Sequence, residues 1–101
     1  MLARDAESLF WSGRYLERAE DTARLLDVTY HGMLETTPAE EALAWSDVLY
    51  ALRLDGVFAA TGRAVTAANV CEFLVLDTNN AGSIFSSVRQ ARENARTVRE
   101  Q

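Results

Sequence analysis

At 101 residues the chain is one domain, and its 49% hydrophobic and 25% charged residues describe a folded protein rather than a disordered one. Ten bases, all arginine, against fifteen acids leave a net charge of −5, which counts against general nucleic-acid binding. One cysteine, Cys71, and one histidine, His31, exclude an internal disulfide and argue against a structural zinc site, so no metal and no cofactor is expected.

Charge appears by Arg4 and no apolar stretch of signal-peptide length follows it. The apolar run Phe73–Leu76 is far too short to span a bilayer. The expectation is a cytoplasmic protein without a membrane partner.

A single proline, Pro38, permits long helices. The first is expected from about Asp5 to about Leu34. Leu2, Ala6, Leu9, Leu16, Ala19, Ala23, Leu26, Tyr30 and Met33 recur at three and four residues, and Phe10 and Leu25 widen this expected core stripe. Gly13 inside it costs about 0.5–1 kcal/mol relative to alanine, a loss that a closely approaching neighbour helix would offset, the alternative being a kink. About 30 helical residues span about 45 Å, too long for a compact chain with a radius of gyration of about 13 Å. The helix must bend or extend into something larger.

Thr37, Pro38, Ala39 and Glu40 read as N-cap to N3 of a second helix. Ala42, Trp45, Val48, Leu49 and Leu52 form its core stripe, and Gly56 marks its stop or bend. Val57–Ala59 fits a short helical turn broken by Gly62. Thr66 caps a third helix running to Asp77, because a solitary strand at Phe73–Leu76 would have no partner. Asp77–Asn80 is a turn. The last helix is expected from Ser83 to Glu100 with Asn80 as its cap. Its stripe is Ile84, Val88, Ala91, Ala95 and Val98, flanked by Arg89, Arg92, Arg96 and Arg99. The reading is all-α: an elongated or antiparallel bundle.

Two segments carry a resemblance: LFWSGRYLERAEDTARLLDV at 9–28 and FLVLDTNNAGSIFSSVRQARENARTVRE at 73–100. Together they resemble the bacterial alpha-E family, whose first segment reads roughly LFWLGRYLERAENTARLL. The chain departs from that pattern at Asp21, Thr78, Asn79, Ala81 and Gly82. The resemblance implies that residues 1–101 are a single, partial alpha-E-like domain, the N-terminal portion of a longer helical unit. Its shared polar residues fall on Arg14, Glu17, Arg18, Glu20, Arg24, Asp77, Asn80, Ser83, Arg89, Arg92, Glu93, Asn94 and Arg96. It also implies association with ATP-grasp ligase-like or transglutaminase-like proteins.

The residues themselves leave several chemistries open. Arg14 and Arg18 can clamp a carboxylate or phosphate, and Glu17 and Asp21 can flank an amine. The structural alternative is a network in which Glu17 and Glu20 meet Arg92 or Arg96 across the bundle. The ligand-binding candidates are Arg14, Glu17, Arg18, Glu20, Arg24, Asn80, Arg89, Arg92, Asn94 and Arg96; no catalytic residue is named. His31 fits a helix-end role and Cys71 a small core role. Trp11, Tyr15, Trp45 and Phe58 fit core or interface positions. The leading reading is a non-catalytic accessory or interaction module, either a homo-oligomer or one awaiting a missing C-terminal helical region. The alternative is a domain acting on amino-acid or peptide ligands through the Arg/Glu cluster. Nucleic-acid binding through the last helix ranks third.

Overall fold

The computed structural model describes residues 2–33 and 36–99. Among the described residues five helices follow in order: α1 Ala3–His31, α2 Pro38–Ala51, α3 Asp55–Ala59, α4 Ala67–Val75 and α5 Ile84–Arg99. Among the described residues there is no strand, and CEFLVLD lies in α4 and the turn after it. The expected ends of the first and last helices, Leu34 and Glu100, lie outside the described residues.

The α1 helix packs along α5 as an antiparallel shaft, and α2–α4 form a head at one end. The molecule measures 54 × 26 × 17 Å with a radius of gyration of 16.0 Å, so the long first helix does extend the fold. The head holds the core: Trp45, Val48, Leu49, Phe58, Val70, Phe73 and Leu74. Phe58 and Phe73 meet edge to face at 5.1 Å. Leu25, Leu26 and Met33 bring the end of α1 onto this cluster.

Capping follows local chemistry. Thr37 accepts the Glu40 amide at 3.2 Å, with Pro38 at N1, while Glu40 makes no return bond. Thr66 accepts the Asn69 amide at 3.1 Å. Asn80 does not cap α5. Its side-chain amide donates to the Phe73 carbonyl at 3.0 Å, and its oxygen accepts the Gly82 amide at 2.9 Å. Ser83 takes the cap instead, accepting the Ser86 amide at 3.1 Å. Buried Asn80 thus ties α4 to the turn before α5.

Gly56 is not the stop of α2 but lies inside α3. The stop is a Schellman turn centred on Arg53. Leu54 N–H donates to Leu49 O at 2.9 Å and Arg53 N–H to Tyr50 O at 3.0 Å. Arg53 has φ 58°, the left-handed conformation that usually belongs to glycine. Gly62, at φ 73°, meets the same demand with the residue suited to it.

The face assignment on the two long helices differs from the sequence expectation. Of the α1 stripe only Ala19 is buried; Leu25, Leu26 and Met33 are half-buried, and Leu2, Ala6, Leu9, Phe10, Leu16, Ala23 and Tyr30 are exposed. The inward lane is Asp5, Ser12, Ala19 and Thr22. On α5, Ser86, Ser87 and Ala91 are buried, Ile84 and Val98 half-buried, and Val88 and Ala95 exposed. Small side chains let the two backbones approach, and Ser12 Oγ donates to Ala91 O at 2.9 Å in that seam.

Replacing Arg53 with glycine relieves the left-handed backbone, so Arg53→Gly is expected to stabilise the chain by about 1 kcal/mol in urea denaturation. A loss of stability would mean that the arginine side chain holds the α2–α3 corner.

Candidate functional site

The α1–α5 shaft has two unlike faces. Residues one and four positions after the inward lane Asp5, Ser12, Ala19 and Thr22 are Ala6, Leu9, Gly13, Leu16, Glu20, Ala23 and Leu26, and Leu2 continues the same row. The corresponding row on α5 is Val88, Arg92, Ala95 and Arg99. In an antiparallel pair these rows share a side, because the rotational offset from the seam is the same. Leu2 is 69% exposed, Leu9 43%, Leu16 46% and Val88 45%. A methyl group added at Gly13 would meet nothing within 4 Å, so no neighbour within the described residues makes the close approach expected there.

The opposite face is a groove. Near the shaft end it is lined by Arg4, Glu7, Ser8, Trp11, Tyr15, Gln90 and Asn94. Toward the head it becomes a hollow of about 360 Å3 lined by Trp11, Arg14, Tyr15, Glu17, Arg18, Asp21, Thr22 and the α2 end, including Arg53. An adjoining hollow of about 590 Å3 runs from Arg18 and Arg53 to the 79–82 turn. Gly82 lets that turn lie against the head, since a methyl there would stand 3.2 Å from Leu54 Cδ1.

The candidate polar residues do not form one network. Arg14 pairs with Glu17 at 3.2 Å and Arg24 with Asp21 at 3.5 Å, each one turn apart on exposed α1. Arg96 pairs with Glu93 at 3.4 Å on α5. Arg89 lies over the Phe85 ring at 5.5 Å. The expected bridge from Glu17 and Glu20 to Arg92 or Arg96 is not formed. Arg92 belongs to the row on the apolar face, and Glu17 is held by its own helix. Among the described residues the side-chain hydrogen bond that joins the shaft is made by Ser12 rather than by a charged group. Glu20 is exposed, Asn94 half-buried in the shaft-end groove, and Asn80 buried as a turn anchor.

Sequence reasoning passed over the ion pair that does bind elements together. Arg63 reaches Asp77 at 3.3 Å and Glu72 at 3.6 Å while its guanidinium covers Phe58 and Phe73 at 5.8 and 6.0 Å. It lies in a loop without helical periodicity, and its one signal is an arginine just after the left-handed Gly62. Arg53 was passed over for a similar reason: its position reads as the solvent end of α2.

His31 stands at the α1 terminus, its Nδ1 2.8 Å from Asp27 O and 3.1 Å from Asp27 Oδ1. Cys71 packs on the core, and burial pushes its thiol up from its ordinary value, which keeps it protonated and poorly nucleophilic at neutral pH. Trp45 and Phe58 are core residues; Trp11 and Tyr15 line the groove, their rings 6.3 Å apart. Among the described residues no group of three His, Cys, Asp or Glu side chains could hold a metal ion, and no helix is long and apolar enough to cross a membrane.

The family model of the Alpha-E domain, described as a predicted alpha-helical domain with a conserved ER motif, matches residues 1–101, and the chain belongs to this family. The sequence contains one Glu-Arg dipeptide, Glu17–Arg18. An uncharacterised protein of Mycobacterium bovis is 35% identical over 106 residues, covering 92% of this chain and 12% of its own length. Uncharacterised proteins of two Mycobacterium tuberculosis strains are 35% and 34% identical with the same coverage. The chain therefore spans 12% of the length of these curated relatives. No solved structure matches it significantly.

The two arginine environments separate on mutation. Arg63→Met should lower stability by about 1–2 kcal/mol, because it removes a half-buried charged hydrogen bond and the cover over two rings. Arg92→Met, exposed and without an acid partner among the described residues, should stay within about 0.5 kcal/mol of wild type. Thermal or urea melts of both variants check the contrast.

Proposed function

We propose that this Alpha-E chain is an accessory interaction module that docks a further helix on the apolar face of its α1–α5 shaft. The observation that carries the reading is the uncovered row Leu2–Ala6–Leu9–Gly13–Leu16. Large residues seven apart alternate with small ones, which is the pattern a closely packed helix pair needs. Gly13 lowers helix stability, and among the described residues nothing lies within 4 Å of where its Cβ would stand to offset that. A partner helix seated over it would supply the offset.

In purified form the partner is a second copy. In the cell it is a helix of a longer polypeptide of this kind or of an associated protein. The resemblance to a family found beside ATP-grasp ligase-like and transglutaminase-like proteins supports an amide- or peptide-forming setting for that partner. A cytoplasmic setting goes with this reading, supported by a fold that needs no disulfide.

Light scattering across dilution tests it. The wild-type chain should show a concentration-dependent mass above that of one copy. Leu9→Glu with Leu16→Glu should yield a monomer of unchanged helicity, because both positions are solvent-facing within one chain. A wild-type chain that stays monomeric at high concentration, or a double variant with the mass profile of wild type, contradicts the proposal.

A further inference from the structure

On the face away from the apolar row, we infer that the groove between α1, the α2–α3 corner and the 79–82 turn is an oxyanion site held by Arg18 and Arg53. Both arginines line both adjoining hollows. Among the described residues neither has an ion pair or hydrogen bond of its side chain. The acids that line the first hollow with them, Glu17 and Asp21, pair with Arg14 and Arg24 on α1, and no acid lines the second hollow. The chain carries a net charge of −5, yet the hollow that reaches the 79–82 turn is lined by these two guanidiniums and by no carboxylate.

The backbone gives a second and independent sign. Arg53 occupies the C′ position of a Schellman turn at φ 58°, where glycine fits without strain. An arginine held in that conformation sets a cation at the corner at the expense of local stability. Observed backbone strain of this sort gathers at ligand-holding positions.

The surroundings narrow the ligand. A guanidinium presents a planar fork matched to the two oxygens of a carboxylate or two oxygens of a phosphate. Trp11 and Tyr15 wall one hollow and Leu52, Leu54 and Val57 the other, so an apolar or planar body attached to the anion has a place to lie. Buried Thr22 lines both hollows between the two arginine-bearing elements. A volume of a few hundred Å3 suits a molecule of dipeptide size. The ligand class is thus a small molecule or peptide end bearing one oxyanion. The site does not depend on the helix-docking face, since none of its residues belongs to the apolar row.

Calorimetric titration of the intact chain with an N-acetyl dipeptide, its C-terminal amide and inorganic phosphate tests the assignment. The expected result is saturable binding of the free carboxylate or of phosphate, with the stronger of the two identifying the source of the oxyanion. Binding of the amide should be at least about tenfold weaker than that of the acid, as expected when an oxygen-recognising contact is removed. Arg18→Gln and Arg53→Gly should each weaken binding by about tenfold or more, while Arg92→Met leaves it unchanged. Arg53→Gly is the decisive variant, because it should melt no lower than wild type while losing the ligand; a misfolded groove cannot account for that pair of results. Absence of saturable binding to the acid and to phosphate at millimolar concentration overturns the site. So does an amide that binds as well as the acid, or an Arg53→Gly variant that binds as wild type does.

Discussion

The arrangement rests on the close contact of two helices from opposite ends of the chain. Ser12 donates to the Ala91 carbonyl in a buried seam that also contains Ala19 and Ser87. Small residues let the backbones come together, and a hydroxyl on one helix satisfies a carbonyl on the other. A buried hydrogen bond of this kind contributes about 1 kcal/mol, but its geometric consequence is larger. It sets the rotation of both helices and therefore decides what each face of the shaft displays. Ser87 Oγ, buried in the same seam, has no partner among the described residues. The seam thus gives up some polar satisfaction for proximity.

The head follows a different logic. Its core is large and apolar, with Trp45, Phe58, Phe73 and Leu74 fully buried. Burial of such side chains contributes on the order of 1.5–3 kcal/mol each, so the head rather than the shaft holds most of the apolar stabilisation. Arg63 closes it by lying over two phenyl rings and bonding to Asp77. Asn80 then links the last turn of the head to the start of α5 through Phe73 and Gly82. Shaft and head meet at the groove, where α1, the Arg53 corner and the 79–82 turn come within reach of one ligand-sized space.

This division separates two kinds of surface. One face of the shaft carries the apolar row of α1 beside Val88, Arg92, Ala95 and Arg99 of α5, suited to another helix. The other is concave, aromatic and locally cationic, suited to a small anion. The Glu17–Arg18 dipeptide sits where the second surface begins, with Glu17 paired to Arg14 and Arg18 without an ion pair among the described residues. Both residues line the first hollow, and only Arg18 continues into the second.

The sequence by itself determined the helices and most of their punctuation. Thr37 with Pro38, Thr66 and Gly62 act through bonds and dihedral limits that reach no further than three residues, and such signals are legible locally. The head core was legible for the same reason, since Trp45, Val48, Leu49, Phe58 and Phe73 are apolar wherever the helices go. The tertiary structure decided which side of α1 is inside. Periodicity correctly found an apolar row at Leu2, Leu9 and Leu16, but close packing chose the neighbouring row of Ser12 and Ala19, where small side chains lower the separation. It also decided that Arg92 meets no acid of α1, that Arg63 and Asp77 meet instead, and that Arg53 shares a groove with Arg18. Those choices depend on helix rotation and on a left-handed corner, and neither leaves a trace in composition or spacing.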